Sequence, residues 1–217
     1  MLMRKHSFEN GGLYHIFNRS VEKRSIFPDR IDFDRFLLGM REFNTIELTG
    51  SLWVKVRGKA DFSNRIAKKG RLVNVICYCL NPNHYHFILE QVREGGISEY
   101  MRRISTGFTQ HFNHKYKRTG VLFQGKFKSV PITSNEQLLH VSAYVNLNYR
   151  AHGIGNGKSV SSWDEYMGDQ RAGFCEKSIV LGQFKNVQEY RKFAESSLKD
   201  IKNHKQQMKE LQSLLLE

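Results

Sequence analysis

The sequence predicts an α+β protein, an antiparallel sheet with helices packed on one face. Three observations carry this. Strand and helix patterns follow one another in the order β, α, β, β, α, β, α before a final extension. The two most apolar strand patterns, 73–80 (VNVICYCL) and 84–90 (HYHFILE), are separated only by Asn81-Pro82-Asn83, turn chemistry that makes them an antiparallel hairpin. The longer polar stretches carry their apolar residues at helical spacing.

Residues 13–19 follow Gly11-Gly12 and read as the first strand. Residues 29–47 read as a helix, with Asp29 able to cap it and Phe33, Phe36, Met40 and Phe43 at helical spacing. Residues 55–70 are polar and basic, a loop or irregular hairpin. Ile97, Met101, Ile104, Phe108 and Phe112 mark a helix that ends near Thr119-Gly120, and 121–130 reads as a further strand. Ser134-Asn135-Glu136-Gln137 is a capping-box pattern opening a helix to about Tyr149. Glycines 153, 155 and 157 end that run. The expected organisation is a domain over 1–155, with a basic insertion at 55–71. A mainly helical accessory segment follows over 156–217, its last helix starting near Asn186 and capped by Asn186 and Glu189.

A chain of 217 residues that is 40% hydrophobic and 12% aromatic can bury a real core, which excludes wholesale disorder. No apolar run approaches the ~20 residues that span a bilayer, and residues 1–10 lack the apolar core of a secretory signal. Three cysteines, two of them (Cys77 and Cys79) two apart on one strand, give neither a disulfide framework nor a Cys-based zinc site. The expectation is a cytoplasmic, nucleoid-associated protein with no membrane partner.

With 34 Lys+Arg against 21 Asp+Glu the net charge is +13, which favours a polyanionic partner, nucleic acid first. The excess is local. Residues 55–71 hold seven basic residues against Asp61 alone. Residues 100–132 hold Arg102, Arg103, Lys115, Lys117, Arg118, Lys126 and Lys128 and no acid. In the second window these alternate with Phe108, Phe112, Tyr116, Phe123 and Phe127. Cations neutralise phosphates and aromatic faces stack on unpaired bases; an ordinary amphipathic helix with a solvated basic face is the plainer alternative.

Two features carry chemistry. His84 and His86 are alternate residues of a strand, so both imidazoles project to one side about 6.5–7 Å apart, where they can converge on one divalent ion. A pair of histidines that merely faces the surface has the same pattern. On the helix from Ser134, Gln137, His140, Tyr144 and Asn148 share one polar stripe, with Tyr144 and Asn148 adjacent on its surface. A phenol is a poor nucleophile at its usual pKa near 10. A neighbouring metal ion can offset the charge that develops when it attacks a phosphodiester, and an Asn beside it can give that ion an oxygen. A packed tyrosine with a hydrogen-bonded hydroxyl is again the plainer alternative.

The motifs taken together resemble those of the HUH single-tyrosine transposases of the insertion-sequence type, most closely the REP-associated tyrosine transposases. The resemblance rests on Cys79-Leu80-Asn81-Pro82-Asn83-His84-Tyr85-His86 followed by the basic helix. It extends to Tyr14–Arg19, to Ile26-Phe27 with Asp32-Phe33, and to Gly120–Lys128. It also covers Ala143-Tyr144-Val145-Asn146-Leu147-Asn148 and Ser161-Ser162-Trp163. It implies a ferredoxin- or RRM-like sheet with the tyrosine helix against it, His84, His86 and Asn148 as ligands of Mg²⁺ or Mn²⁺, and Tyr144 as the nucleophile. The implied activity is cleavage and transfer of hairpin-bearing single-stranded DNA through a 5′-phosphotyrosine, by a monomer or a homodimer. Gln137 and His140 are candidates for phosphate positioning, and the seven basic residues of 100–132 for DNA contacts. The family commonly has Pro after the Asn, where this chain has Tyr149; the helix can therefore run on, and a second phenol lies close. Two other readings remain open at this point: a non-catalytic nucleic-acid-binding module with an RRM-like sheet, and a replication-initiator or relaxase-type nickase.

Overall fold

The computed structural model describes residues 7–46, 70–155, 157–169 and 173–214, and side chains up to residue 201 and at 203. All but Gly70 and Arg71 of the expected basic insertion lies outside the described residues. Five strands, β1 (Leu13–Arg19), β2 (Val73–Asn81), β3 (His84–Gln91), β4 (Lys128–Ile132) and β5 (Val160–Ser161), form one antiparallel sheet in the order β4-β1-β3-β2-β5. The helices are α1 (Arg30–Glu42), α2 (Gly96–Lys115), α3 (Asn135–Asn146), α4 (Asn148–Ala151), α5 (Trp163–Tyr166), α6 (Ser178–Leu181) and α7 (Val187–Leu214).

The expected α+β antiparallel sheet is present, but helices cover both of its faces rather than one. The strands dictate this. On β3, Tyr85, Phe87 and Leu89 point one way and join a core with Phe33, Phe36 and Met40 of α1 and Ile97, Tyr100, Ile104 and Phe108 of α2. Ile88 points the other way and joins Leu138, Ala143 and Val145 of α3, with Tyr190, Ala194 and Leu198 of α7 behind them. An extra residue at Ile76 breaks the β2 register between Val75 and Cys77, so Ile76, Cys77 and Cys79 all fall on the α3 side while Tyr78 and Leu80 fall on the α2 side.

Local chemistry sets the ends. Asp29 caps α1 by accepting from the Asp32 backbone amide, and the Asp32 side chain returns the bond to the Asp29 amide. The helix stops at Glu42, short of the expected 47, because the Asn44 side chain bonds the Leu72 and Val73 backbone and ties the chain to β2. At the start of α2 a side chain is forbidden: a Cβ on Gly96 would lie 2.2 Å from the Leu72 carbonyl oxygen. The strand expected at 121–130 is shifted to Lys128–Ile132. Residues 121–127 instead form a loop pinned by buried Leu122 and Phe123. Ser134 caps α3, but Gln137 does not complete a capping box; its side chain accepts from the Thr133 amide instead. The boundary expected at 155/156 is crossed by the sheet, because β5 from the accessory segment pairs with β2.

Candidate active site

The hairpin turn positions the site. Only Pro82 and Asn83 separate β2 from β3, so Asn81 sits directly across from His84, and Cys79 across from His86. Both histidines point to the α3 side of the sheet, their ring centroids 5.3 Å apart and nearly perpendicular. Tyr144 of α3 lies edge-on to His86, 5.5 Å between centroids. Asn148 opens α4, and its Oδ1 is 3.2 Å from His84 Nε2. His84, His86, Tyr144 and Asn148, spread over 65 positions of sequence, thus converge at one end of the sheet.

Three neighbours that the sequence reading did not single out define the site further. Asn83 Oδ1 accepts from His84 Nδ1 at 2.7 Å, which puts the proton on Nδ1 and leaves a lone pair on Nε2. The buried Asn81 donates its Nδ2 both to that Nε2 at 2.9 Å and to Asn148 Oδ1 at 2.6 Å. His15 of β1 shares a 2.9 Å hydrogen bond with His86 Nδ1, and its burial pushes its pKa down to about 4, so it is neutral at pH 7. Each was readable in principle. A two-residue turn pairs Asn81 with His84, and buried Tyr14 and Ile16 leave His15 on the opposite face of β1.

The phenol is held in its neutral form. Burial raises the Tyr144 pKa above its ordinary value, and the nearby Cys79 adds to this, while the Asn148 amide opposes it. The Asn148 Nδ2 stops short of hydrogen-bond geometry and, fully buried, has no partner. The helix between them is broken. α3 ends at Asn146, Leu147 leaves helical geometry with φ −106° and ψ 15°, and α4 carries Asn148. The chain therefore does run on past Asn148, as the absence of Pro allows. The second phenol is engaged elsewhere: Tyr149 Oη accepts from Arg150 Nε at 3.0 Å.

A divalent ion fits the donors present. Ligands about 2.1 Å from a Mg²⁺-sized ion, at right angles, are about 3 Å apart. The lone pair of His84 Nε2 and the amide oxygen of Asn148, 3.2 Å apart, have that spacing. Among the described residues no group of three or more His, Cys, Asp or Glu is placed to hold a metal ion. The donor set here contains only two such side chains, and so suits an ion that completes its shell from water or a phosphate.

Gln137 and His140 are not part of this cluster. Gln137 bonds the Thr133 backbone, and His140 turns one helical turn away to Ser197 Oγ at 3.1 Å and the Phe193 ring of α7. The seven basic residues divide. Arg102 and Arg103 both bind Glu99, and Arg103 is also buried against the Thr45 carbonyl. Lys115 lies between Asp29 and the fully buried Asp32. Arg118 bonds Asn113 and the Val121 carbonyl. Lys117, Lys126 and Lys128 are exposed and make no ion pair among the described residues. Of the interleaved aromatics, Phe108, Phe112 and Phe123 are core residues; Tyr116 and Phe127 are half-buried. The acid-free window is thus neutralised only in part, Arg102 and Arg103 by the adjacent Glu99 and Lys115 by Asp29 and Asp32, which are distant in sequence.

A buried polar chain holds α3 in place. Ser162 accepts from the Tyr78 amide on β2 at 2.8 Å and donates to Asn146 Oδ1 at 2.6 Å, and Asn146 donates to the Tyr190 hydroxyl of α7 at 2.9 Å. Ser161-Ser162-Trp163 therefore serves the attachment of the tyrosine helix to the sheet.

Residues 56–148 match the family model of IS200-like transposases. Among solved structures, that of a REP-associated tyrosine transposase bound to a REP hairpin shares the fold with a TM-score of 0.52. The match has 16% identity and covers 77% of this chain and 86% of that one. No curated protein matches. Among the described residues no helix is long and apolar enough to cross a membrane.

Proposed function

We propose, from the match of residues 56–148 to the family model of IS200-like transposases and from the site described above, that this chain cleaves and rejoins single-stranded DNA through Tyr144. The observation that carries this reading is the convergence of Tyr144 and Asn148 with His84 and His86 at one end of the sheet. A packed tyrosine needs no imidazole pair and no buried amide oxygen beside it.

His84, His86 and Asn148 would hold a Mg²⁺ or Mn²⁺ ion, which supplies positive charge to the scissile phosphate and to the phenolate as it forms. The residues of the chain do the rest. Asn83 fixes the His84 proton on Nδ1 so that Nε2 faces the site. His15 shares the hydrogen bond that orients the His86 ring. Tyr144 is neutral at rest and loses its proton as Oη attacks phosphorus. The Oη–P bond forms and the P–O3′ bond breaks. The leaving 3′ oxygen takes up a proton, and the 5′ end remains as a phosphotyrosine. That linkage keeps the phosphodiester's energy, so a later 3′-OH can attack it and release Tyr144 without hydrolysis.

A hairpin-bearing single strand is the substrate class we assign, and the solved REP-associated transposase was itself bound to a REP hairpin. Exposed Lys117, Lys126 and Lys128 are the residues of the basic window best placed for phosphate contacts. The test is incubation of the protein with such DNA and Mn²⁺, followed by denaturing electrophoresis. A covalent protein–DNA adduct forms with the wild type and with Tyr149→Phe and is absent with Tyr144→Phe. An adduct that survives Tyr144→Phe defeats the assignment. Binding that is indifferent to EDTA, with no adduct under any condition, favours a non-catalytic binding module.

A further inference from the structure

We propose that Asn81 is a further oxygen ligand of this cation site, its side-chain amide turned over from the orientation seen here. The inference rests on the functional reading above, since it assumes that an ion binds at His84 and Asn148.

Three atoms carry it. Asn81 Nδ2 is 2.9 Å from His84 Nε2 and 2.6 Å from Asn148 Oδ1, and those two are 3.2 Å from each other. A triangle with edges near 3 Å is one face of the octahedron around an ion with bonds of about 2.1 Å. Two corners are lone-pair donors. The third is an NH₂ group whose two hydrogens point at them, in the direction from which a cation would attract the same lone pairs. An amide nitrogen cannot ligate a cation, but the amide oxygen lies half a turn of one bond away, and that turn brings Oδ1 to nearly the same point.

The surroundings of Asn81 permit the turn. On its far side Oδ1 accepts from Ser159 Oγ at 2.9 Å. A hydroxyl donates or accepts equally well, so Ser159 would accept from Nδ2 after the turn. The Cys79 thiol, 3.5 Å from Oδ1, is a weak partner in either role. The two hydrogen bonds lost in front are those that the ion replaces. Burial alone gives no reason for an amide here: Asn81 ends an apolar strand and is fully buried, where a polar side chain has to be hydrogen-bonded to be tolerated. The carbonyl supplies a reason, because a hard cation prefers oxygen.

The test is Mn²⁺ affinity of the full chain without DNA, read by electron paramagnetic resonance of the free ion. The expected result is binding by the wild type and loss of binding with His84→Ala. Asn81→Leu weakens binding by about tenfold, the lower end of the range for groups that support a metal site. Asn81→Asp, a variant of the same shape, tightens it by about tenfold, since an anionic oxygen strengthens a hard-cation site. The Asp variant decides between roles and stands even if the Leu variant fails to fold. If Asn81 only steadies its neighbours by donating to them, Asp loses both donations, sets a carboxylate against Asn148 Oδ1, and weakens binding. Equal or weaker Mn²⁺ binding by Asn81→Asp, with His84→Ala still abolishing it, overturns this proposal and leaves the cation site standing. Wild-type protein that binds no Mn²⁺, or binds it regardless of His84, overturns both.

Discussion

Strand β3 has two faces made by the same eight residues, and they are built for different ends. Toward α1 and α2 it presents Tyr85, Phe87 and Leu89, packed into a set of rings in which Phe36 touches Tyr85, Phe87, Phe27 and Phe108. Toward α3 it presents His84, His86 and Ile88. The first two of these meet His15, Asn81, Tyr144 and Asn148. The aromatic face is closed and, apart from the buried Tyr85 hydroxyl, apolar in these three side chains, and it fixes where the backbone of β3 lies. The polar face leaves an orphaned amide and tolerates a half-buried phenol and four polar side chains within one hairpin end. Alternation lets one strand serve both, because a side chain on one face can change without moving its neighbour on the other.

That separation predicts opposite outcomes for two substitutions. Tyr144→Phe removes the covalent adduct completely and changes unfolding free energy by under about 0.5 kcal/mol, the range of a change that removes one weakly held hydroxyl. Phe36→Ala lowers unfolding free energy by about 3–5 kcal/mol, as expected for a ring deleted from a packed core, while the molecules that stay folded form adduct at the wild-type rate. Urea unfolding and adduct formation, measured on both proteins, check the pair. A Phe36→Ala protein that is folded but inactive would mean that the faces are coupled through β3.

The one place where coupling is expected is the polar chain from Tyr78 through Ser162 and Asn146 to Tyr190. Asn146→Ala takes one buried hydrogen bond each from the Ser162 and Tyr190 hydroxyls, which keep Tyr78 and Ser142 as partners, a loss of about 1–3 kcal/mol. It also loosens α3, so adduct formation falls although Asn146 touches no reacting group. Urea unfolding against single-turnover cleavage, with Asn146→Asp as a shape-conserving control, separates the two effects.

How much of this was legible in the sequence follows from the same geometry. Period-two alternation in His84-Tyr85-His86 is local, so the imidazole pair and its direction could be read directly. Tyr144 and Asn148 lie close enough in sequence for helical phase to bring them together, although the break at Leu147 was invisible. His140 shares that phase and still faces α7, because α3 lies between the sheet and α7 and is covered on two sides. A stripe argument assumes one solvated face opposite one packed face, and α3 is packed on two sides. Part of the basic window is taken up inside the fold for a related reason. The acids that neutralise Lys115 come from α1, 83 and 86 positions earlier, and linear tallies do not see them. Periodic Phe108 and Phe112 marked the buried stripe of α2, which is what helical spacing reports.

The exposed cations give a smaller effect, on the DNA side. Lys126→Ala and Lys128→Ala each lower the dependence of log affinity on log salt by about one unit while leaving stability unchanged within about 0.5 kcal/mol. Arg103→Ala, whose side chain is tied to Glu99 and Thr45, does the reverse: it destabilises and leaves the salt slope as it was. Binding titrations across a salt series distinguish a phosphate contact from a structural ion pair.

The smallest effect lies in acid, on the α2 side. Hydrogen bonds from Arg102, and then from Arg103, pull the Glu99 carboxyl down to about 2 from an ordinary value of 4.5. A carboxylate whose pKa is lower folded than unfolded stabilises the fold fully above the unfolded value, and that contribution disappears as pH falls from about 4.5 toward 2. Arg102 is mostly exposed, its side chain 61% accessible, so screening holds the effect below about 1 kcal/mol. Glu99→Gln should therefore flatten the loss of stability in that window by this amount and leave stability near pH 7 lower by the same amount. Tyr144→Phe should leave the acid profile unchanged, since the phenol and its amide neighbour do not titrate there. Equilibrium unfolding of both variants between pH 2 and 7 makes the comparison. A flattened profile between about pH 4.5 and 2 in the Tyr144 variant rather than the Glu99 variant would move this contribution from the closed face to the polar one.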